Sequence, residues 1–237
     1  NVSDLIEKTF TSVNFNMMIM VIYALITIAI FGMWYYARYE GNFLPSPKKT
    51  FNPMMLMAIV ILVPGTQFAA NFIANLTGYI RPDWLQQYNE LFETSGITDT
   101  TFVTVLYSVI LAPICEELIF RGVTMRCARK ALPFALANLM QAALFGLFHL
   151  NWIQGIYAFA LGIVLGYVCE CGGSIYYSMG LHMLFNLWGT LSGFFPDPGN
   201  SVVVFVVVIV VTIVSLVVGF VLFNKGRRKL PINSTGI

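Results

Sequence analysis

The chain has 237 residues, of which 58% are hydrophobic and only 10% are charged. Soluble domains carry about 25% charged residues, so this chain has too few charges to cover the surface of a soluble globule. Its net charge of +2 gives too weak a positive field for nucleic-acid binding as a main task. The composition therefore predicts an all-α, polytopic membrane protein with lipid as its main solvent.

Seven apolar runs approach or exceed the roughly 20 residues that a membrane-spanning helix needs. They lie at about 17–37, 54–79, 101–128, 133–150, 152–169, 174–195 and 201–223. The first run has no basic leader and no small-residue cleavage pattern, so we expect a retained span rather than a signal peptide. The chain starts at Asn1 without a methionine, which leaves an eighth, earlier span open. The prediction is one integral membrane domain over 1–237, a bundle of about seven or eight spans with a buried polar cavity.

The charges outside these runs predict the orientation in the membrane. Basic residues gather after the first, third and seventh runs, and most acids lie on the opposite side, so the positive-inside bias places the amino terminus outside. The longest polar stretch, 80–100, is predicted to be an outer loop with an interfacial helix. The last run is almost pure Val and Ile and is expected to be a lipid-facing anchor. The cysteines are expected to be reduced thiols because they lie in apolar or loop segments on the cytoplasmic side; they are Cys115, Cys127, Cys169 and Cys171.

Several polar residues lie inside the predicted spans, where an ionisable group costs about 3 kcal/mol and by default marks a function. Glu116, Glu117 and Arg121 lie in the third span, His149 ends the fourth, and His182 and Asn186 lie in the sixth. Counted at 1.5 Å per residue from the cytoplasmic end of each span, they reach depths of roughly 14–25 Å. Three helices therefore place polar groups in one layer of the membrane, which predicts a shared cavity.

Local spacing predicts which of these groups act together. Glu117 and Arg121 are four residues apart with the acid first, the favourable order for an ion pair on one helix face. Adjacent helical residues diverge by about 100°, so Glu116 is left free to meet water and an imidazole. His182 and Asn186 share a face and offer donors to one point, as an oxyanion site requires. Structural explanations exist for each pair, as a clamp or as interhelical hydrogen bonds, but the whole set at one depth favours a function.

Two backbone signals accompany the polar set. Pro113 lies three residues before Glu116, where it frees a backbone carbonyl, kinks the span and makes room for water. Gly162 and Gly166 form a Gly-xxx-Gly pattern that supports close helix packing, with a homodimer as the weaker alternative.

The polar residues form three motifs in chain order. They are Glu116-Glu117-x-x-x-Arg121, Phe145-x-x-x-His149 and His182-x-x-x-Asn186. These motifs resemble those of the CAAX protease and bacteriocin-processing family of intramembrane endopeptidases, also called the Abi family. The resemblance covers about residues 100–190, the expected catalytic core.

This resemblance implies catalytic roles for four residues. Glu116 with His149 would activate a water for attack on a peptide carbonyl, and His182 with Asn186 would stabilise the tetrahedral oxyanion. The spacing of the same residues suggests similar roles independently.

The remaining motif residues would support this centre. Glu117 and Arg121 would fix the helix and the electric field around Glu116, and Phe145 completes the second motif. Family members have been labelled metalloproteases, but the resemblance implies a glutamate-based hydrolase with no metal or other cofactor. An open catalytic zinc, held by Glu116 and the two histidines, is the alternative.

The substrate class follows only in outline. A small hydrophobic or membrane-anchored peptide or protein is expected, because the small size and short basic tail suit a prokaryotic plasma membrane. The alternative function is a peptide-binding or bacteriocin-immunity protein that does not cut. A proton-coupled transporter is disfavoured because the chain lacks internal repeat symmetry.

Overall fold

In a computed structural model, which describes residues 13–39, 52–95, 101–192 and 201–227, the chain folds into helices packed side by side. Within these ranges there are eight helices and no strands. They are α1 (Val13–Tyr39), α2 (Pro53–Ile80), α3 (Pro82–Ser95), α4 (Phe102–Ala128), α5 (Phe134–Phe148), α6 (Trp152–Gly172), α7 (Ile175–Ser192) and α8 (Val202–Arg227). The all-α prediction is confirmed.

The helices have the dimensions of a multi-pass membrane protein. Five of them, α1, α2, α4, α6 and α8, are long and apolar enough to cross a bilayer. α5 is apolar but shorter, with 15 residues, and α7 has 18 residues and carries the polar groups of the third motif. Each of the seven predicted runs coincides with one of these helices wherever the run is described. Large apolar side chains on their outer faces are exposed, which is the surface that lipid requires.

α2 and α8 pack closely, and the Ser215 side chain of α8 forms hydrogen bonds with the backbone of α2. The Ser215 hydroxyl accepts from the Gly65 N–H at 2.8 Å and donates to the Ile61 carbonyl, so it bridges a helical bond next to Pro64. Most of α8 is exposed, as expected of an anchor. One stripe of mainly small residues is buried, however, and it consists of Ser215, Gly219, Phe223 and Gly226.

α4 is irregular on both sides of its acidic pair. Two π-helical segments, Tyr107–Leu111 and Leu118–Met125, flank a short α-helical stretch that contains Pro113. In the first segment the Ala112 N–H bonds the Tyr107 carbonyl, five residues back. Such π segments appear inside α-helices frequently at functional sites. Pro113, where a kink is predicted, thus lies between two changes of helical register.

α5 and α6 pack at backbone distance. A Cβ at Gly162 would lie 3.1 Å from Ala142, and one at Gly166 would overlap the Asn138 side chain. The Gly-xxx-Gly pattern therefore serves packing within the chain, and a homodimer stays a prediction.

α3 occupies most of the polar stretch that was predicted to contain an interfacial helix. Its Trp84 stacks on Trp152 at the start of α6, with ring centroids 5.4 Å apart. The part of that stretch beyond Ser95, up to 100, lies outside the described residues. That α3 lies on the outer membrane face stays a prediction.

Candidate active site

Glu117 and Arg121 form a completely buried ion pair in α4. The Arg121 Nη1 lies 2.8 Å from the Glu117 Oε1, and both side chains have no exposed surface. The second Nη of Arg121 donates to the Gly162 carbonyl at 3.2 Å, and the guanidinium carbon lies 4.5 Å from the centre of the Phe145 ring. The predicted ion pair is confirmed. The Arg121 guanidinium contacts Glu117, the Gly162 carbonyl and the Phe145 ring.

His182 lies between the two carboxylates. Its Nδ1 is 3.0 Å from the Glu117 Oε1 and its Nε2 is 3.6 Å from the Glu116 Oε2. The Glu116 side chain is 16% exposed, whereas Glu117 is fully buried. The adjacent acids therefore have different environments, as their divergence on the helix predicts. Because a carboxylate paired with Arg121 only accepts hydrogen bonds, the Nδ1 of His182 must carry a proton.

His149 caps the end of α5 and is oriented by its own helix. Its Nδ1 bonds the Phe145 carbonyl at 2.8 Å, and since a carbonyl only accepts, the Nδ1 is the donor. In the neutral ring the Nε2 is then free to accept a proton. Among the described residues no hydrogen bond or ion pair joins His149 to Glu116. The next residue, Leu150, has a left-handed backbone (φ 53°) and is 94% exposed.

The Phe145 ring packs against both histidines. Its ring centre lies 4.9 Å from that of His149 and 5.7 Å from that of His182, both at nearly right angles. With its contact to Arg121, the Phe145 ring touches groups from all three motifs. α4, α5 and α7, whose polar groups are predicted to lie at one depth, therefore meet around this ring.

Asn186 binds the backbone of α4. Its Nδ2 donates to the Ser108 carbonyl at 2.8 Å, which uses one of its two N–H bonds. Asn186 and His182 both lie on α7 next to α4. Within the part of the chain that the structure describes, they do not donate hydrogen bonds to a common acceptor. Among the described residues the second N–H of Asn186 makes no further hydrogen bond.

Sequence reasoning missed two buried amides behind the ion pair. The Gln141 Nε2 donates to the Gly162 carbonyl at 2.9 Å and to the Asn138 Oδ1 at 2.7 Å. The same Gly162 carbonyl accepts from Arg121. A signal was present, because Asn138 and Gln141 lie in an apolar span at helical spacing from Phe145.

No group of three or more His, Cys, Asp or Glu side chains that could hold a metal ion occurs within the described ranges.

The fold and this centre together define a polytopic helical membrane protein with a buried Glu–His–Arg cluster. Residues 98–188 match the family model described as type II CAAX prenyl endopeptidase, Rce1-like. The match spans all three motifs and agrees with the resemblance that they indicate. No curated protein and no solved structure matches the chain. The chain is therefore similar to this family over residues 98–188, which is less than half of its length.

Proposed function

We propose that the protein is an intramembrane endopeptidase that hydrolyses a peptide bond in a small hydrophobic or membrane-anchored substrate. One observation carries the proposal: His182 lies between a buried, arginine-paired carboxylate and a second carboxylate that reaches exposed surface. A hydrolase that works through carboxylates can divide the tasks between such unlike acids, one as a fixed anion and one that exchanges protons with water.

Glu116 is the proposed general base. A water bound to its carboxylate would attack the substrate carbonyl carbon while one water proton passes to Glu116. The C–N bond then breaks, and the same proton passes to the leaving nitrogen. His149 would assist through its Nε2, which the bond from its Nδ1 to Phe145 leaves as an acceptor.

His182 and Asn186 are the proposed donors to the oxyanion. Asn186 would use the N–H that does not bind Ser108. His182 donates to Glu117 from Nδ1, so it can donate from Nε2 only when both ring nitrogens carry protons. Glu117 and Arg121 would act through His182 by fixing the orientation of its ring, and Phe145 would hold it against His149.

We favour a mechanism without metal, with zinc as the alternative. Asn186 is a poor ligand for zinc. Of the proposed ligands, all of which the structure describes, Glu116 and His182 are the only pair that an ion-pair contact joins. One feature favours zinc: a histidine that donates its second ring N–H to a carboxylate is common at zinc sites.

The proposed location is a plasma membrane, most readily a prokaryotic one. Substrates would then be small hydrophobic or membrane-anchored peptides or proteins. Cleavage of matched peptides with and without a prenyl group tests whether the substrate must carry this lipid.

The test is mass spectrometry of membrane-derived peptides incubated with the purified protein, with and without a zinc chelator. Glu116→Gln should lower cleavage about 100-fold or more, the effect of losing a general base. Glu170→Gln is the matched control, because Glu170 pairs with Arg129 at partly exposed positions outside the site. Full activity in Glu116→Gln would refute the proposal, and loss of activity on chelation would favour zinc.

If no peptide is cut, the non-catalytic binding or immunity function takes precedence. In that case Glu116→Ala should leave the cellular phenotype intact.

A further inference from the structure

A side-chain to backbone bond joins the two helices that carry the proposed base and the proposed oxyanion donors. The Asn186 Nδ2 in α7 donates to the main-chain carbonyl of Ser108 in α4 at 2.8 Å. Ser108 precedes Glu116 by about two turns, and His182 precedes Asn186 by one turn on α7. The bond therefore lies one turn of α7 and about two turns of α4 from the residues that form the contact between Glu116 and His182.

The Ser108 carbonyl has lost both donors that a helix would give it. In an α-helix its donor would be the N–H of residue 112, and in a π-helix that of residue 113. The Ala112 N–H bonds the Tyr107 carbonyl instead, and residue 113 is a proline without an N–H. A carbonyl without a donor inside a membrane protein is costly, and Asn186 supplies the missing donor.

We infer that Asn186 is a positioning residue: by capping the carbonyl that Pro113 frees, it fixes α4 against α7 and sets the separation of Glu116 and His182. The functional part of this inference rests on the proposed protease activity, whereas the capping bond does not. The bond uses one N–H of Asn186, so it also orients the second N–H, the one proposed to face the oxyanion.

The residue type matches this role. Asparagine offers donors from a short side chain, while an ionised aspartate offers none and would place a negative charge against the carbonyl. Asn186→Asp should therefore be more destabilising than Asn186→Ala, although its shape is closer to the native one.

A double-mutant cycle between Asn186 and Pro113 tests the inference. Asn186→Ala should lower the melting temperature by about 2–12 °C, the range expected for one buried unpaired carbonyl in a chain of this size. In Pro113→Ala, the new N–H at 113 can bond the Ser108 carbonyl, so adding Asn186→Ala should then cost less than half as much. The control pair is Asn224→Ala with Pro113→Ala, because Asn224 binds Phe220 and Tyr167 in another part of the bundle. Its effects should add.

Cleavage assays of the same variants separate positioning from mere structural support. Pro113→Ala should partly restore the kcat of Asn186→Ala, with KM little changed, because the bond sets the geometry of Glu116 rather than contacting the substrate. Restored stability without any gain in kcat would overturn the positioning role. Strictly additive melting temperatures would overturn the capping bond itself.

Hydrogen exchange provides a second measurement if Pro113→Ala fails to fold. Asn186→Ala alone should speed amide exchange in the segment 102–117, where the register of α4 depends on the cap, and not in α8. Unchanged exchange in that segment would overturn the inference. If Glu116→Gln cleaves like the native protein, the proposed function fails, but the stability cycle and the exchange result still report on the capping bond.

Discussion

Replacing Arg121 with methionine should destabilise the protein strongly. The guanidinium and the Glu117 carboxylate are both fully buried and 2.8 Å apart, so removing Arg121 leaves a buried anion without its guanidinium partner. Breaking one side of a buried pair costs about 3–5 kcal/mol. For a chain of this length that corresponds to a drop in melting temperature of roughly 6–20 °C.

The matched control is Arg81→Met. Arg81 also pairs with an acid, Asp83, at 2.6 Å, but the two side chains are 47% and 53% exposed. The hydrogen bond from Arg81 lowers the pKa of Asp83, yet water screens an exposed pair. The melting temperature of Arg81→Met should therefore match that of the native protein.

A double variant separates stability from activity. Glu117→Leu with Arg121→Met removes both charges, and such a buried pair is often replaced by apolar residues at little cost. The double variant should melt well above Arg121→Met. It should still cleave poorly, because the Nδ1 of His182 loses its acceptor.

Melting in detergent by scanning calorimetry or tryptophan fluorescence, with cleavage of one peptide in parallel, provides the measurement. A melting temperature for Arg121→Met that equals that of Arg81→Met would refute the reasoning. It would mean that Glu117 does not depend on Arg121 as its partner in the membrane interior.

Three further predictions use melting temperature as the measurement. Gly166→Ala should lose about 1–3 kcal/mol of stability, because its Cβ would overlap the Asn138 side chain. Gly180→Ala should lose none, because its Cβ would meet no atom within 4 Å beyond its chain neighbours and the backbone of its own helix. Equal effects would contradict the close packing. Gln141→Leu should lose about 1–3 kcal/mol of stability by leaving the buried Asn138 Oδ1 without the donor that Gln141 supplies. An unchanged melting temperature would contradict that account. Leu150→Gly should be more stable than Leu150→Ala by up to about 1 kcal/mol, because glycine accepts the positive φ of this position without strain. The reverse order of melting temperatures would contradict this explanation.

The sequence alone determined the class of fold and the local pairs. Scarcity of charge and the length of the apolar runs predict a helical membrane bundle, because lipid cannot satisfy an exposed backbone polar group. The ion pair of Glu117 and Arg121 was predictable because residues four apart on a helix face each other whatever the tertiary fold. The low-charge anchor α8 was likewise recognisable from composition.

Contacts between helices were decided only by the tertiary structure. Depth along a span says nothing about which neighbour a residue faces, so sequence alone could not place His182 between Glu116 and Glu117. The hydrogen bond from Asn186 to the Ser108 carbonyl also could not be predicted from the sequence. Pro113 predicts that one backbone carbonyl of α4 lacks an N–H donor. The π register of α4 decides that this carbonyl is that of Ser108, and the packing of α7 decides that Asn186 supplies the donor. Helix formation is local, whereas the partners of a buried polar group depend on how whole helices pack.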